Sequence, residues 1–425
     1  MLTAASPDRS RRVGLALAGG GPEGAVYEIG VLRALDEALD GIDFNRLRVY
    51  VGVSAGAFLA ANLANGITTA QNVRAIVKSD PGEHPFHPDT FFTPAVAEML
   101  RRSLMTPRLL SEALWKYLRN PYDMPLVDSL LRLARALPVG VFDNEPVRRY
   151  LQRIYALPGR TDDFRRLRSR LFVVATELDS GRAVRFGDRG RDRVPISLAV
   201  AASCALPGLY PPVIIDGKHY VDGVLLKTVH ASVALEAGAR LVICINPIVP
   251  VDTFRVETEE TRRRQLADFG LPTVLSQTFR TLIHSRMTVG MSAYAERFPD
   301  KDLVLIEPQP ADSRMFFTNI FSFASRMELC EYAYHATRRE LRRRFPELAA
   351  TFAKHGIRLS ERVLADGGCD LWRGVGFASG APGRKSPAVA LDEALGRLDT
   401  WLVDRAAPRH AAPRRRAATR SVASR

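Results

Sequence analysis

Four short apolar runs stand out along the chain, at Val13–Ala18, Arg48–Val53, Leu171–Thr176 and Leu241–Asn246. Each is too brief for a helix and nearly continuous, the pattern of a strand buried on both faces. Between them the apolar positions recur at helical spacing, as at Val31, Leu32, Leu35 and Leu39 after the first run. Strand and helix in alternation predict an α/β fold around a mainly parallel sheet. Val213–Ile215 and Lys218–Val221 flank Asp216-Gly217, and two apolar runs around an Asp-Gly pair predict a tight hairpin. No internal repeat interrupts the pattern.

Other stretches depart from it. From Asp80 to Pro94 the chain has four prolines, and helical spacing then returns at Val96, Met99, Leu100 and Leu104 and continues to Leu137. The expectation is a helical insertion at about 80–140, packed on the core or capping a site. Residues 251–270 are charged and predict a loop. Helical patterns resume near Leu271 and over Met315–Phe345, the latter opening on Phe316, Phe317, Phe321 and Phe323 and ending on Arg338, Arg339 and Arg342–Arg344. Positive charge at a helix C-terminus suits the macrodipole. Beyond about Gly374 the chain is linker-like, with one weak helical pattern at Ala388–Val403. The predicted division is a catalytic domain at 13–250, a helical extension at 251–350 packed on it, and a basic, partly disordered tail at 351–425.

Composition narrows the picture. Arg9, Arg11 and Arg12 before an apolar stretch resemble a signal peptide, but the stretch is short and runs into glycines, so it predicts a first strand rather than an export signal. No run is long enough to span a membrane. Four scattered cysteines, Cys204, Cys244, Cys330 and Cys369, have neither metal-ligand nor redox spacing and suit a reducing, cytoplasmic compartment. The net charge is +14, and Arg409–Arg425 holds six arginines and no acid. Such charge favours anionic partners, and peripheral contact with a membrane through the tail and the phenylalanine cluster is expected over nucleic acid.

Three motifs carry candidate chemistry. Gly52-Val53-Ser54-Ala55-Gly56 lies between a strand and a helix that stops at Asn65-Gly66, the context of a nucleophile elbow. Gly19-Gly20-Gly21-Pro22-Glu23-Gly24 also joins a strand to a helix, and its N–H groups can face an oxyanion. It satisfies the dinucleotide fingerprint as well, but the second strand ends in Gly52-Val53-Ser54 and not in the acidic residue that would hold a ribose. Asp222-Gly223 follows the hairpin, where a bare turn is the alternative. A Ser-Asp-His order would need His230 or His284, neither with a supporting motif, and His219 falls on the strand face opposite Asp222.

The chain resembles the patatin-like phospholipases in these three motifs, and also in Ala202–Pro212 and Ala175–Arg182, all in the family's order between Val13 and about Pro247. The resemblance implies a three-layer α/β/α sandwich and a serine lipid acyl hydrolase that needs neither metal nor cofactor. It implies Ser54 as nucleophile with Asp222 as its base, acting on carboxylic esters of lipids. Gly19, Gly20, Gly21 and Ala55 would bind the oxyanion, and Gly24, Gly52, Gly56 and Gly223 complete the motifs. A non-catalytic lipid- or partner-binding member is the alternative, which the intact Ser54 and Asp222 disfavour. Glu23 departs from the family, which usually carries Lys or Arg there. An acid at that position predicts a preference for uncharged esters over anionic phospholipids.

Overall fold

The computed structural model describes residues 9–96, 98–100, 137–255, 265–310 and 323–377, with isolated positions between 102 and 115 and Asp312. Phe316, Phe317, Phe321, the side chain of Phe323, the arginine-rich tail and most of the helical insertion lie outside the described residues. One compact unit comprises Met1–Ser379; a second, Gly380–Arg425, is not described.

Among the described residues the centre is an eight-stranded sheet. Its strands are β1 (Val13–Leu17), β2 (Val49–Val53), β3 (Arg170–Glu177), β4 (Arg182–Phe186), β5 (Val213–Ile215), β6 (Lys218–Asp222), β7 (Leu241–Ile245) and β8 (Asp302–Ile306). The parallel core runs β3-β2-β1-β7-β8. The hairpin β5–β6 turns on Asp216-Gly217, both at positive φ, as such a turn requires. The sheet is therefore mixed: β4, β5 and β6 are antiparallel additions at one side.

Side chains alternate between two cores, as strands covered on both faces must. Leu15, Leu17, Tyr50, Val173, Ile243 and Ile245 face one core with α1 (Gly21–Ala38) and α2 (Ala55–Ala64). Ala16, Val51, Val53, Val174, Val242 and Cys244 face the other. There they meet α5 (Ala231–Glu236) and α6 (Leu271–Arg297). Two further helices, α3 (Glu145–Tyr155) and α4 (Ile196–Ser203), and the long α7 (Phe323–Arg343) join the first core. This is the three-layer α/β/α sandwich.

The two helical layers differ in depth. Every residue of α1 from Gly24 to Leu35 is buried, because α7 packs across it on the side away from the sheet. At the crossing a Cβ on Gly30 would lie 2.4 Å from the Cys330 carbonyl oxygen, so only glycine permits the approach. On the opposite face α6 packs through Met287 and Tyr294, with Ile283 and Met291 beside them.

One register detail positions the site. Along one edge β3 pairs with β4. Along the other it pairs with β2 as far as Val53–Val174, and β6 takes over at the next residue, Ala175–Asp222. Ser54 directly follows Val53, so the handover brings Ser54 and Asp222 to one point.

Candidate active site

Ser54 sits at the turn between β2 and α2 with φ 53°, a left-handed conformation rare outside glycine. The turn closes because its flanking glycines allow backbone contact. A Cβ on Gly52 would lie 2.4 Å from Ala57 Cα, and one on Gly56 2.4 Å from the Ala18 oxygen. The Gly56 N–H donates to that same oxygen, at 3.0 Å. Ser203 holds the strained turn from below: the Ser54 N–H donates to Ser203 Oγ at 2.8 Å, and that hydroxyl donates to the Val174 carbonyl at 2.6 Å. Ser203 lies 149 residues from Ser54, so spacing alone does not point to it.

Asp222, at the end of β6, is buried, and its carboxyl accepts from the Val224 N–H at 2.9 Å. Burial raises its pKa to about 7, against the opposing effects of the Val224 N–H and of the Ser54 hydroxyl. The Ser54 hydroxyl thus lies close enough to Asp222 to act on its carboxyl. The Cys204 thiol also faces both residues, and burial followed by the Asp222 charge pushes its pKa up. In the sequence Cys204 is only a scattered thiol within the Ala202–Pro212 segment. His230 is buried and its pKa is lowered to about 4, by desolvation first and then by Lys227, so the ring is neutral. No histidine acts on Asp222 among the described residues. His219 is exposed, on the other side of the strand.

The glycine loop closes the remaining side. A Cβ on Gly19 would lie 3.2 Å from both Ser54 Cβ and Val224 Cγ2. The helices α1 and α2 thus begin beside the serine, at Gly21 and Ala55. Amides in a first turn have no partner within their own helix, and the dipole there favours negative charge. Next to the loop is an apolar cavity walled by Pro22, Val26, Phe58, Ile76, Phe86 and Phe91, and it reaches Ala55. Phe86 stands edge-on to Phe58, Phe91 and Tyr150, which fixes the aromatic wall.

Glu23 folds back over this loop, its Oε2 3.4 Å from where a Cβ on Gly21 would be. Burial raises its pKa, while its own backbone N–H and then Arg280 of α6 oppose the rise. Arg280 shows the complementary pattern: burial lowers its pKa and Glu23 raises it. A cation from outside the motifs therefore acts on Glu23 of the glycine loop.

A serine at a strained strand-to-helix turn, in a doubly covered sheet, defines an α/β protein of the elbow-serine class. The chain belongs to the patatin-like phospholipase family, whose model matches residues 15–235. At the level of the family it is a lipid hydrolase with lipid substrates. Solved structures similar to it at 16% identity include VipD from Legionella pneumophila, matched over 79% of this chain and 67% of that one with a TM-score of 0.38. The type III effector protein ExoU is also similar at 16% identity, over 79% of this chain and 53% of its own length, with a TM-score of 0.33. Among the described residues no helix is long and apolar enough to cross a membrane.

Proposed function

We propose that the chain hydrolyses carboxylic ester bonds of lipids through a Ser54–Asp222 dyad. The observation that carries this reading is the meeting of the Ser54 turn with a buried carboxyl whose pKa is about 7. An ordinary aspartate is too weak a base for a hydroxyl, and a base titrating near neutrality is well matched to the task. Ser54 Oγ attacks the ester carbonyl while its proton passes to Asp222. The tetrahedral oxyanion is held by N–H groups of Gly19, Gly20, Gly21 and Ala55. Collapse expels the alcohol, which takes the proton back from Asp222, and leaves an acyl-enzyme. Water then attacks the acyl carbonyl, again giving its proton to Asp222, and the acid departs as Ser54 recovers its proton. The acyl chain would lie against the apolar wall of Pro22, Val26 and Phe58 beside Ala55.

Glu23 tunes the headgroup. Its charge offsets that of Arg280, so the entrance offers an anionic phosphate no net cation, and uncharged esters are preferred. A fluorophosphonate probe tests the central claim. It should label the wild-type chain and leave Ser54→Ala unlabelled, with ester turnover falling at least about a thousandfold. Labelling that survives in Ser54→Ala would refute the dyad, and an unlabelled wild type would favour a non-catalytic binding protein.

A further inference from the structure

The helix α6 is apolar on two opposite sides, and among the described residues only one of them is covered. Met287 and Tyr294 are buried against the sheet. On the other side Leu271, Leu275, Leu282 and Val289 recur along one line of a helix with about 3.6 residues per turn, flanked by Val274 and Phe279. These six side chains are between 40% and 71% exposed. An apolar stripe this long on a helix surface marks a contact with something apolar.

The helix is fixed to the site. Gln277 pairs with both backbone groups of Val251, donating to its carbonyl at 2.7 Å and accepting from its N–H at 3.1 Å. Arg286 donates to the Leu225 carbonyl at 3.1 Å, three residues after Asp222. Arg280 donates to the Val249 carbonyl at 3.4 Å, near enough to Glu23 for each charge to act on the other. Whatever meets the stripe meets it beside the entrance to Ser54.

Charge selects the occupant. Beside the stripe α6 carries Arg286 and Arg297 against one acid, Glu296, while Arg280 is turned inward to Glu23, and the chain as a whole has a net charge of +14. A second copy would set like charges against each other. An anionic surface with an apolar interior complements both features of the helix.

We infer that α6 is the lipid-docking face of the protein: its exposed stripe inserts into the outer layer of an anionic bilayer and sets the Ser54 entrance over its substrate. The inference rests on the proposed hydrolase reading for its substrate but not for its binding step. The basic tail and the phenylalanine cluster are not needed for it.

The test uses the full chain. Binding is measured by co-sedimentation with vesicles of equal parts phosphatidylcholine and phosphatidylglycerol, in a Ser54→Ala background so that the vesicles stay intact. Turnover is measured with Ser54 present, on the same vesicles and on soluble p-nitrophenyl butyrate. Leu275→Glu/Phe279→Glu should weaken vesicle partition and vesicle hydrolysis about tenfold or more, with soluble-ester turnover unchanged. Should circular dichroism show that this pair fails to fold, Leu271→Ser/Leu282→Ser carries the same expectation in milder form. Wild-type binding in either folded variant overturns the inference. So does a wild-type dimer that the substitutions dissociate while vesicle binding persists, since the stripe would then belong to a second copy. Failure of the hydrolase reading looks different: neither ester is turned over, yet sedimentation still depends on Leu275 and Phe279, and the docking face stands.

Discussion

The two faces of the sheet are built to different depths. On one, α1 lies between the sheet and α7 and is buried all round from Gly24 to Leu35. On the other, α6 is covered only on its inner side, through Met287 and Tyr294. Both helices are apolar beyond what one buried stripe needs, so composition does not separate them. What separates them is whether a further element arrives to cover the second stripe. The fully covered helix carries the glycine loop and holds it still. The half-covered helix brings Arg280 to the same loop and keeps an apolar face outward.

The sharpest way to break this comparison lies at the site, where the sheet has sunk a carboxyl into its core. Asp222→Asn should lower ester turnover by about ten-thousandfold, since the amide cannot accept the serine proton. The same change should stabilise the fold at neutral pH and above. With its pKa raised to about 7, folded Asp222 keeps a proton that the unfolded chain has already lost, starting near pH 3.8. Its contribution is thus fully favourable below pH 3.8 and is lost as pH rises to about 7, so the advantage of asparagine should grow over that window to a few kcal/mol. Thermal melts of both chains at pH 4 and pH 8 measure it. Wild-type turnover should rise with pH through the same pKa, half-maximal near pH 7. Equal stability gaps at the two pH values would mean that Asp222 is not buried as a neutral acid.

Next in size is a pair of substitutions, one in each layer. Gly30→Ala drives a Cβ into the Cys330 carbonyl and should cost about 2 kcal/mol by urea unfolding, despite the better helix propensity of alanine. Val289→Ala, on the exposed stripe of α6, should stay within about 0.5 kcal/mol. Similar costs at both positions would erase the difference in cover between the layers.

The smallest effect concerns the loop that both helices share. Glu23→Gln releases Arg280 from its counter-charge, so kcat/KM for an anionic phospholipid relative to a neutral ester of the same acyl chain should rise several-fold, on the order of 1 kcal/mol. An unchanged ratio would leave Glu23 with only its helix-end role.

Much of this is legible in the sequence. The four apolar runs are strands within a residue or two of their expected ends, because continuous burial writes itself into a short sequence window. The hairpin was equally plain, since Asp216-Gly217 suits a turn with two positive φ angles. The strand β4 was not: its Arg182 and Arg185 hide the alternation that puts Val184 and Phe186 in the core. Nor was β8, which follows the 27 residues of α6 yet extends the sheet beside β7. The motifs mark Ser54 and Asp222, but they give Ser203, inside the Ala202–Pro212 segment, no role in pinning the turn, and they do not show the cation that acts on Glu23. Both partnerships join distant segments through tertiary packing, so no local window shows them. Periodicity likewise located α6 but cannot say which of its apolar sides has a neighbour.

The handover along β3, from Val53 to Asp222, also bears on how the protein gains and loses function. The parallel strands can assemble and bury most of the core while β5 and β6 are still unpaired. On the proposed dyad, however, Ser54 has no base until the hairpin docks at Ala175. Such a dyad would be complete only with the hairpin in place. Opening that one short edge, without melting the sheet, would silence the enzyme, and closing it would restore activity at the speed of a hairpin rather than of a whole chain.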